Sequence, residues 1–151
     1  MTSPLPASFD SSLVLLDLHA GDEQEAIRTV AGLFRGHPDV ADAAALADEV
    51  VEREKLCSTA LGHGVAFPHA RTGGVRQLVV AVGRSREGVN FADAGETVHF
   101  VFVIGTPPDR VPPYLALVGY LARQLKSDAL RGKLSAADTP EDFLAVLRAG
   151  G

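Results

Sequence analysis

His69 lies in the stretch Ala60-Leu61-Gly62-His63-Gly64-Val65-Ala66-Phe67-Pro68-His69-Ala70-Arg71, where glycines, a proline and two histidines break any regular period. A neutral imidazole is nucleophilic at one ring nitrogen when a partner holds the proton of the other. Pro68 stiffens the backbone just before it. Gly62 and Gly64 leave backbone amides unshielded, able to point at an anion. Arg53 and Arg71 flank the stretch with guanidinium groups suited to oxyanions, and Thr59 adds a hydroxyl donor. Together these groups suit a phosphoryl group on or beside His69. They fit equally a turn histidine bonded to backbone, and spacing alone leaves both readings open.

His63 and His69 have five residues between them, which raises the question of a metal. Metal sites need three or four ligands and no second cluster is present, so no metal is expected. Cys57 is the single cysteine. It excludes an internal disulfide, fits a reducing compartment, and reads as a small apolar residue. His63 reads as pocket lining or as solvent-exposed. His19, His37 and His99 read as structural histidines at element ends or in a strand. No nucleophile elbow, Walker loop or dinucleotide fingerprint occurs, so no cofactor is expected.

The chain of 151 residues is 46% hydrophobic and 22% charged, with a formal charge of −5. That length favours one domain over residues 1–151, and the composition is that of a globular protein. Net negative charge argues against nucleic acid as a partner. The N-terminus has no signal-peptide pattern and no apolar run could span a bilayer, so a cytoplasmic protein without membrane insertion is expected.

Elements must hold the histidine stretch in place. Residues 1–10 read as a loose lead-in, and Leu13 to Leu18 as a buried strand. Asp22 with Glu25 resembles a capping box, opening a helix whose inner face is Ile27, Val30, Ala31 and Phe34 and which Gly36 stops. A second helix is expected from Pro38-Asp39 to about Lys55, with Val40, Ala44, Ala47 and Val51 inward. Gln77 to Val82 reads as a strand, and Gly83 to Gly88 as a polar turn. Val98 to Ile104 is the most apolar strand and therefore central. Pro112-Pro113 opens a helix with Leu117, Val118, Leu121 and Leu125 inward. Ser127 caps a short helix through Leu134, and Thr139-Pro140 opens the last, through Arg148. Helices grouped before and after a strand cluster predict an α+β fold: a three-layer α/β/α sandwich around a mixed sheet.

Glu52-Arg53-Glu54 followed by Ser58 to Arg71 closely resembles the active-site segment of the enzyme IIA domains of the bacterial phosphotransferase system, fructose/mannitol type. That branch includes the nitrogen-related enzyme IIA proteins. Val89-Asn90-Phe91-Ala92, the strand from Val98, Leu121 to Leu125, Ser127 to Lys133 and Thr139 to Leu147 extend the resemblance over nearly the whole chain. It implies a three-layer fold and a phosphoryl group accepted by His69 from the carrier HPr. It implies Arg53 as the arginine beside that histidine. A IIB domain, or a protein regulated by the phosphorylation state, would be the partner, with peripheral association to a transporter.

One position departs from the family pattern. Where members carry a second active-site histidine before a leucine, this chain reads Pro113-Tyr114-Leu115. A phenol donates one hydrogen bond to a phosphoryl oxygen but carries no cationic charge. Tyr114 is thus a phosphate-binding candidate with Gly62, His63, Gly64, Thr59 and Arg71, or an aromatic residue packing on the loop. It also admits an alternative: a regulatory binding module on the same fold that is not phosphorylated.

Overall fold

A run as apolar as Val98 to Ile104 is stable only when covered on both faces, and the sheet is built around it. The computed structural model describes residues 4–91 and 94–150, so Ala92 of the resembling segment lies outside the described residues. The strands are β1 (Val14–Leu15), β2 (Ala60–Gly62), β3 (Val65–Ala66), β4 (His69–Arg71), β5 (Val79–Phe91) and β6 (Glu96–Thr106). β5 and β6 pair antiparallel from Val79↔Gly105 to Phe91↔Glu96, and β1 adds parallel to β5. Along the other side of β6 run two short parallel strands in succession. β3 pairs with Phe100 and Val101, and β4 with Ile104 to Thr106. β2 closes the edge antiparallel to β3. The sheet is mixed, in the order β1-β5-β6-β3-β2, with β4 beside β6.

Helices cover both faces, giving the expected three-layer sandwich. They are α1 (Glu23–Ala31), α2 (Ala43–Leu56), α3 (Val111–Leu125), α4 (Asp128–Ala136) and α5 (Pro140–Ala149). Val30 of α1 packs over Gly83, and Leu46 of α2 over Gly105. On the opposite face Phe100 meets Phe143 of α5, ring centroids 6.2 Å apart. Ile27, Val30, Ala31 and Phe34 are all fully buried, as are Leu117 and Leu121 of α3. Side-chain caps start the helices where Asp, Ser and Thr predict them: Asp22 accepts from Glu25 N at 2.9 Å, Ser127 from Leu130 N at 3.1 Å and Thr139 from Asp142 N at 3.0 Å.

Four sequence expectations need correction. The strand expected over Leu13 to Leu18 shrinks to Val14–Leu15, because Asp10 caps a 3-10 turn at Ser11–Leu13. The lead-in is partly core: Phe9 is buried, and Arg148 Nη2 donates to its carbonyl at 3.0 Å. The second helix starts at Ala43, because Asp42 caps it. That start shifts the inward stripe to Leu46, Ala47, Val50 and Val51 and leaves Ala44 exposed. Residues 83–88 are not a turn. β5 continues through them, with its register slipping between Arg84 and Val89. Such a bulge lets a polar run stay in a strand.

Gly83 marks the closest approach of sheet and helix. A Cβ there would lie 2.7 Å from Val30 Cγ2 and 2.9 Å from Leu18 Cδ2. Gly83→Ala is therefore expected to destabilise the fold by about 1–3 kcal/mol through overpacking. Urea denaturation, with the midpoint falling at unchanged slope, checks it.

Candidate functional site

Pairing with β6 decides where His69 sits. Its strand partner is Ile104, which like Val80 lies toward the α3–α5 layer, and the histidine ring meets Tyr114 of α3 with centroids 5.2 Å apart. Phe67 and Pro68 bridge the gap between β3 and β4. Phe67 packs edge-on against Phe102 at 5.6 Å, while Pro68 O accepts from Ile104 N at 2.9 Å. The backbone before the histidine is thus pinned on both sides.

His69 Nδ1 lies 3.0 Å from Phe67 O. A carbonyl oxygen can only accept, so in the neutral ring Nδ1 carries the proton and Nε2 keeps its lone pair. This is the arrangement a nucleophilic imidazole needs. Tyr114 is half-buried in the first turns of α3. Burial pushes its phenol above the usual 10.0, while the charges of Arg53 and Arg71 pull it down. Both arginines are therefore close enough to Tyr114 to be felt. Pro112 and Pro113 lie in the first turn of α3 and supply no N–H, which leaves this end with fewer backbone donors.

His69 meets Tyr114, Arg71 lies two residues on along the same strand, and the charges of Arg53 and Arg71 reach Tyr114. Gly62, His63 and Gly64 lie apart from His69. Val65 pairs with Phe100 and His69 with Ile104, four positions further along β6. At strand rise that is about 13 Å. The glycines serve the β2–β3 hairpin instead. Gly62, His63 and Gly64 have φ of 91°, 59° and 75°, the left-handed backbone a two-residue hairpin turn demands. The Gly64 carbonyl accepts from His99 N and Phe100 N at 2.7 and 3.0 Å. His63 is exposed there and lines a shallow groove with Leu61, Ala122, Leu125 and Lys126, at the far end of α3 from Tyr114.

Thr59 is engaged by a residue to which the sequence reading gave no role. Glu54, 5% exposed, accepts from Thr59 N at 2.9 Å and from the Thr59 hydroxyl at 2.8 Å. The signal was present: Leu46, Val50 and Glu54 follow at i+4, placing a carboxylate on the buried face of α2. Its clamp fixes the link from α2, which carries Arg53, to β2. Two exposed leucines flank the site: Leu56, 81% exposed, one turn after Arg53, and Leu115, 60% exposed, beside Tyr114. Among the described residues no group of three or more His, Cys, Asp or Glu is placed to hold a metal ion, and no helix is long and apolar enough to cross a membrane.

Residues 7–150 match the family described as phosphoenolpyruvate-dependent sugar phosphotransferase system, EIIA 2. The nitrogen regulatory protein of Pseudomonas aeruginosa is 30% identical over 134 residues, 88% of this chain and 87% of that protein. The 2-O-alpha-mannosyl-D-glycerate-specific EIIABC component of Escherichia coli is 29% identical over 82% of this chain, which spans only 19% of that relative's length. Among solved structures, the nitrogen regulatory protein IIA-Ntr from Neisseria meningitidis superimposes with a TM-score of 0.82 at 31% identity, covering 95% of each chain.

Two outcomes follow from the geometry. Glu54→Ala, which strands the Thr59 donors, is expected to lower stability by about 1–3 kcal/mol, measured as a shift in the urea midpoint. Tyr114 is expected to ionise above pH 10.0 in the folded protein, since burial disfavours its phenolate. The unfolded state then loses that proton first, so stability falls as pH rises beyond the unfolded value and is unaffected below it. Absorbance titration against Tyr114→Phe shows whether a phenol titrating above pH 10.0 disappears.

Proposed function

The chain belongs to the EIIA 2 family of the phosphoenolpyruvate-dependent sugar phosphotransferase system, and we propose on that premise that it takes up a phosphoryl group on His69. The observation that carries this reading is the bond from His69 Nδ1 to Phe67 O, which leaves Nε2 as the nucleophile. Nε2 attacks phosphorus as the donor's P–N bond breaks, and the negative charge on the phosphoryl oxygens is met by Arg53 and Arg71. The Tyr114 phenol donates one hydrogen bond to the same group. Its raised pKa keeps it a donor at neutral pH.

In this reading the donor is an HPr-type phosphohistidine carrier in the cytoplasm. Leu56 and Leu115 supply apolar surface for it beside the charged centre. The recipient is a IIB domain, as the EIIABC name of one relative supports, or a protein whose binding depends on the phosphorylation state, as the nitrogen regulatory names support. Tyr114 motivates a second reading, a binding module on the same fold that is not phosphorylated. Replacing a cationic donor at a transferring group slows transfer by on the order of a hundredfold, by analogy with deleted oxyanion donors.

Incubation with phosphoenolpyruvate, enzyme I and a cognate HPr is expected to place acid-labile phosphate on the protein. His69→Ala should abolish it, and Arg53→Ala should slow it on the order of a hundredfold. Tyr114→His is expected to speed labelling. An unlabelled wild type would sink the phosphocarrier reading, and labelling confined to Tyr114→His would establish the second.

A further inference from the structure

Where the register of β5 and β6 slips, a cleft opens that is lined by Arg84, Ser85, Arg86, His99 and Ser135. Its lining carries two guanidinium groups, an imidazole and two hydroxyls, and no carboxylate. The carboxylates of Asp17 and Asp138, outside the lining, act on Arg84 by charge.

Arg84 is 3% exposed, and its hydrogen bonds go to carbonyl oxygens rather than to a carboxylate. Nε donates to Leu16 O at 3.2 Å, and Nη1 to Leu134 O and Ala137 O, both at 2.8 Å, with Ser135 O at 3.3 Å. These bonds tie β5 to the end of α4 and use the Nε and Nη1 hydrogens. The two on Nη2 remain. Among the described residues Nη2 donates to no protein atom, and it is not one of the sealed polar atoms lacking a partner. It is therefore not sealed from solvent, in a side chain that lines the cleft.

The other lining groups are oriented in the same sense. His99 Nδ1 lies 2.9 Å from Ser85 O and must be the donor there, so Nε2 keeps a lone pair in the neutral ring and donates to an anion only when the ring is protonated. Ser85 Oγ accepts from Gly88 N at 3.0 Å, which leaves its hydroxyl hydrogen. Arg86 is exposed, adds the second fixed charge, and opposes that of Arg84. Two guanidinium groups held close, one buried with spare donors, are stabilised by an anion between them.

We propose that this cleft is a second, non-covalent anion site, which takes the phosphate of a small phosphate monoester. Its volume of about 290 Å³ is at the bottom of the range for small-molecule sites, which favours a compact ester over a nucleotide. Arg84 pairs with Phe100 and His69 with Ile104, so the two sites are offset along β6. The cleft's occupancy does not depend on His69.

The test is an amide NMR titration of the whole chain with glycerol 3-phosphate, inorganic phosphate and chloride at matched ionic strength. Glycerol 3-phosphate should give saturating shifts at Ser85, Arg86, Gly88, His99 and Ser135, and bind more tightly than inorganic phosphate. Arg86→Gln, a surface change, should weaken binding on the order of tenfold or more, the loss of one charge-assisted contact. His69→Ala should leave it intact. Shifts that chloride reproduces, that Arg86→Gln leaves unchanged, or that His69→Ala abolishes overturn the proposal. Equal affinity for inorganic phosphate overturns its ester part.

Discussion

Everything at the candidate site depends on the parallel pairing of two short strands, one after the other, along β6. β3 and β4 hold only a few residues each, and neither would persist alone. Their hydrogen bonds to a strand buried on both faces give them the rigidity of the core. Phe67 and Pro68 fill the break between them and are themselves held by Phe102 and Ile104. His69 thus gains a fixed backbone position while its ring stays at the surface of the sheet's α3 side. A loop histidine would need other contacts to achieve the same precision.

Much of this was legible in the chain. The three layers followed from helices grouped around a strand cluster, and the caps at Asp22, Ser127 and Thr139 followed from residue type. What stayed hidden depended on partners distant in sequence. β3 and β4 have no periodicity of their own, because their pairing lies with residues 100–106. Residues 83–88 read as a turn by composition, yet the long antiparallel ladder carries them as strand. Local propensity is weaker than a ladder already formed on both sides. The partners of Glu54 and Arg84 were hidden for a related reason, although the spacing of Glu54 from Leu46 and Val50 already marked it as inward. Each is a charged residue on a buried phase, and what satisfies it, Thr59 for one and the carbonyls of residues 134–137 for the other, shows only in the fold.

Spatial separation also divides the motif. The histidine stretch is one continuous run of sequence, but the structure gives it two tasks. Gly62 to Gly64 turn the chain at one end of the edge hairpin, where their left-handed backbone is required. His69 to Arg71 form a separate short strand against Ile104 to Thr106, with the His69 ring against Tyr114. The glycines are thus accounted for by the turn they make, and the charges of Arg53 and Arg71 are felt at Tyr114, which meets the His69 ring.

The dependence of β4 on β6 also sets an order of assembly. As the chain emerges from its N-terminus, the β2–β3 hairpin can close as soon as residue 66 is available, because both partners are local. β4 has no partner until residues 104–106 exist, and Tyr114 follows later still. An unfinished chain therefore carries His69 in an unpaired segment, without the ring that covers it or the strand that aims it. The arrangement around His69 can form only once the chain has passed Tyr114.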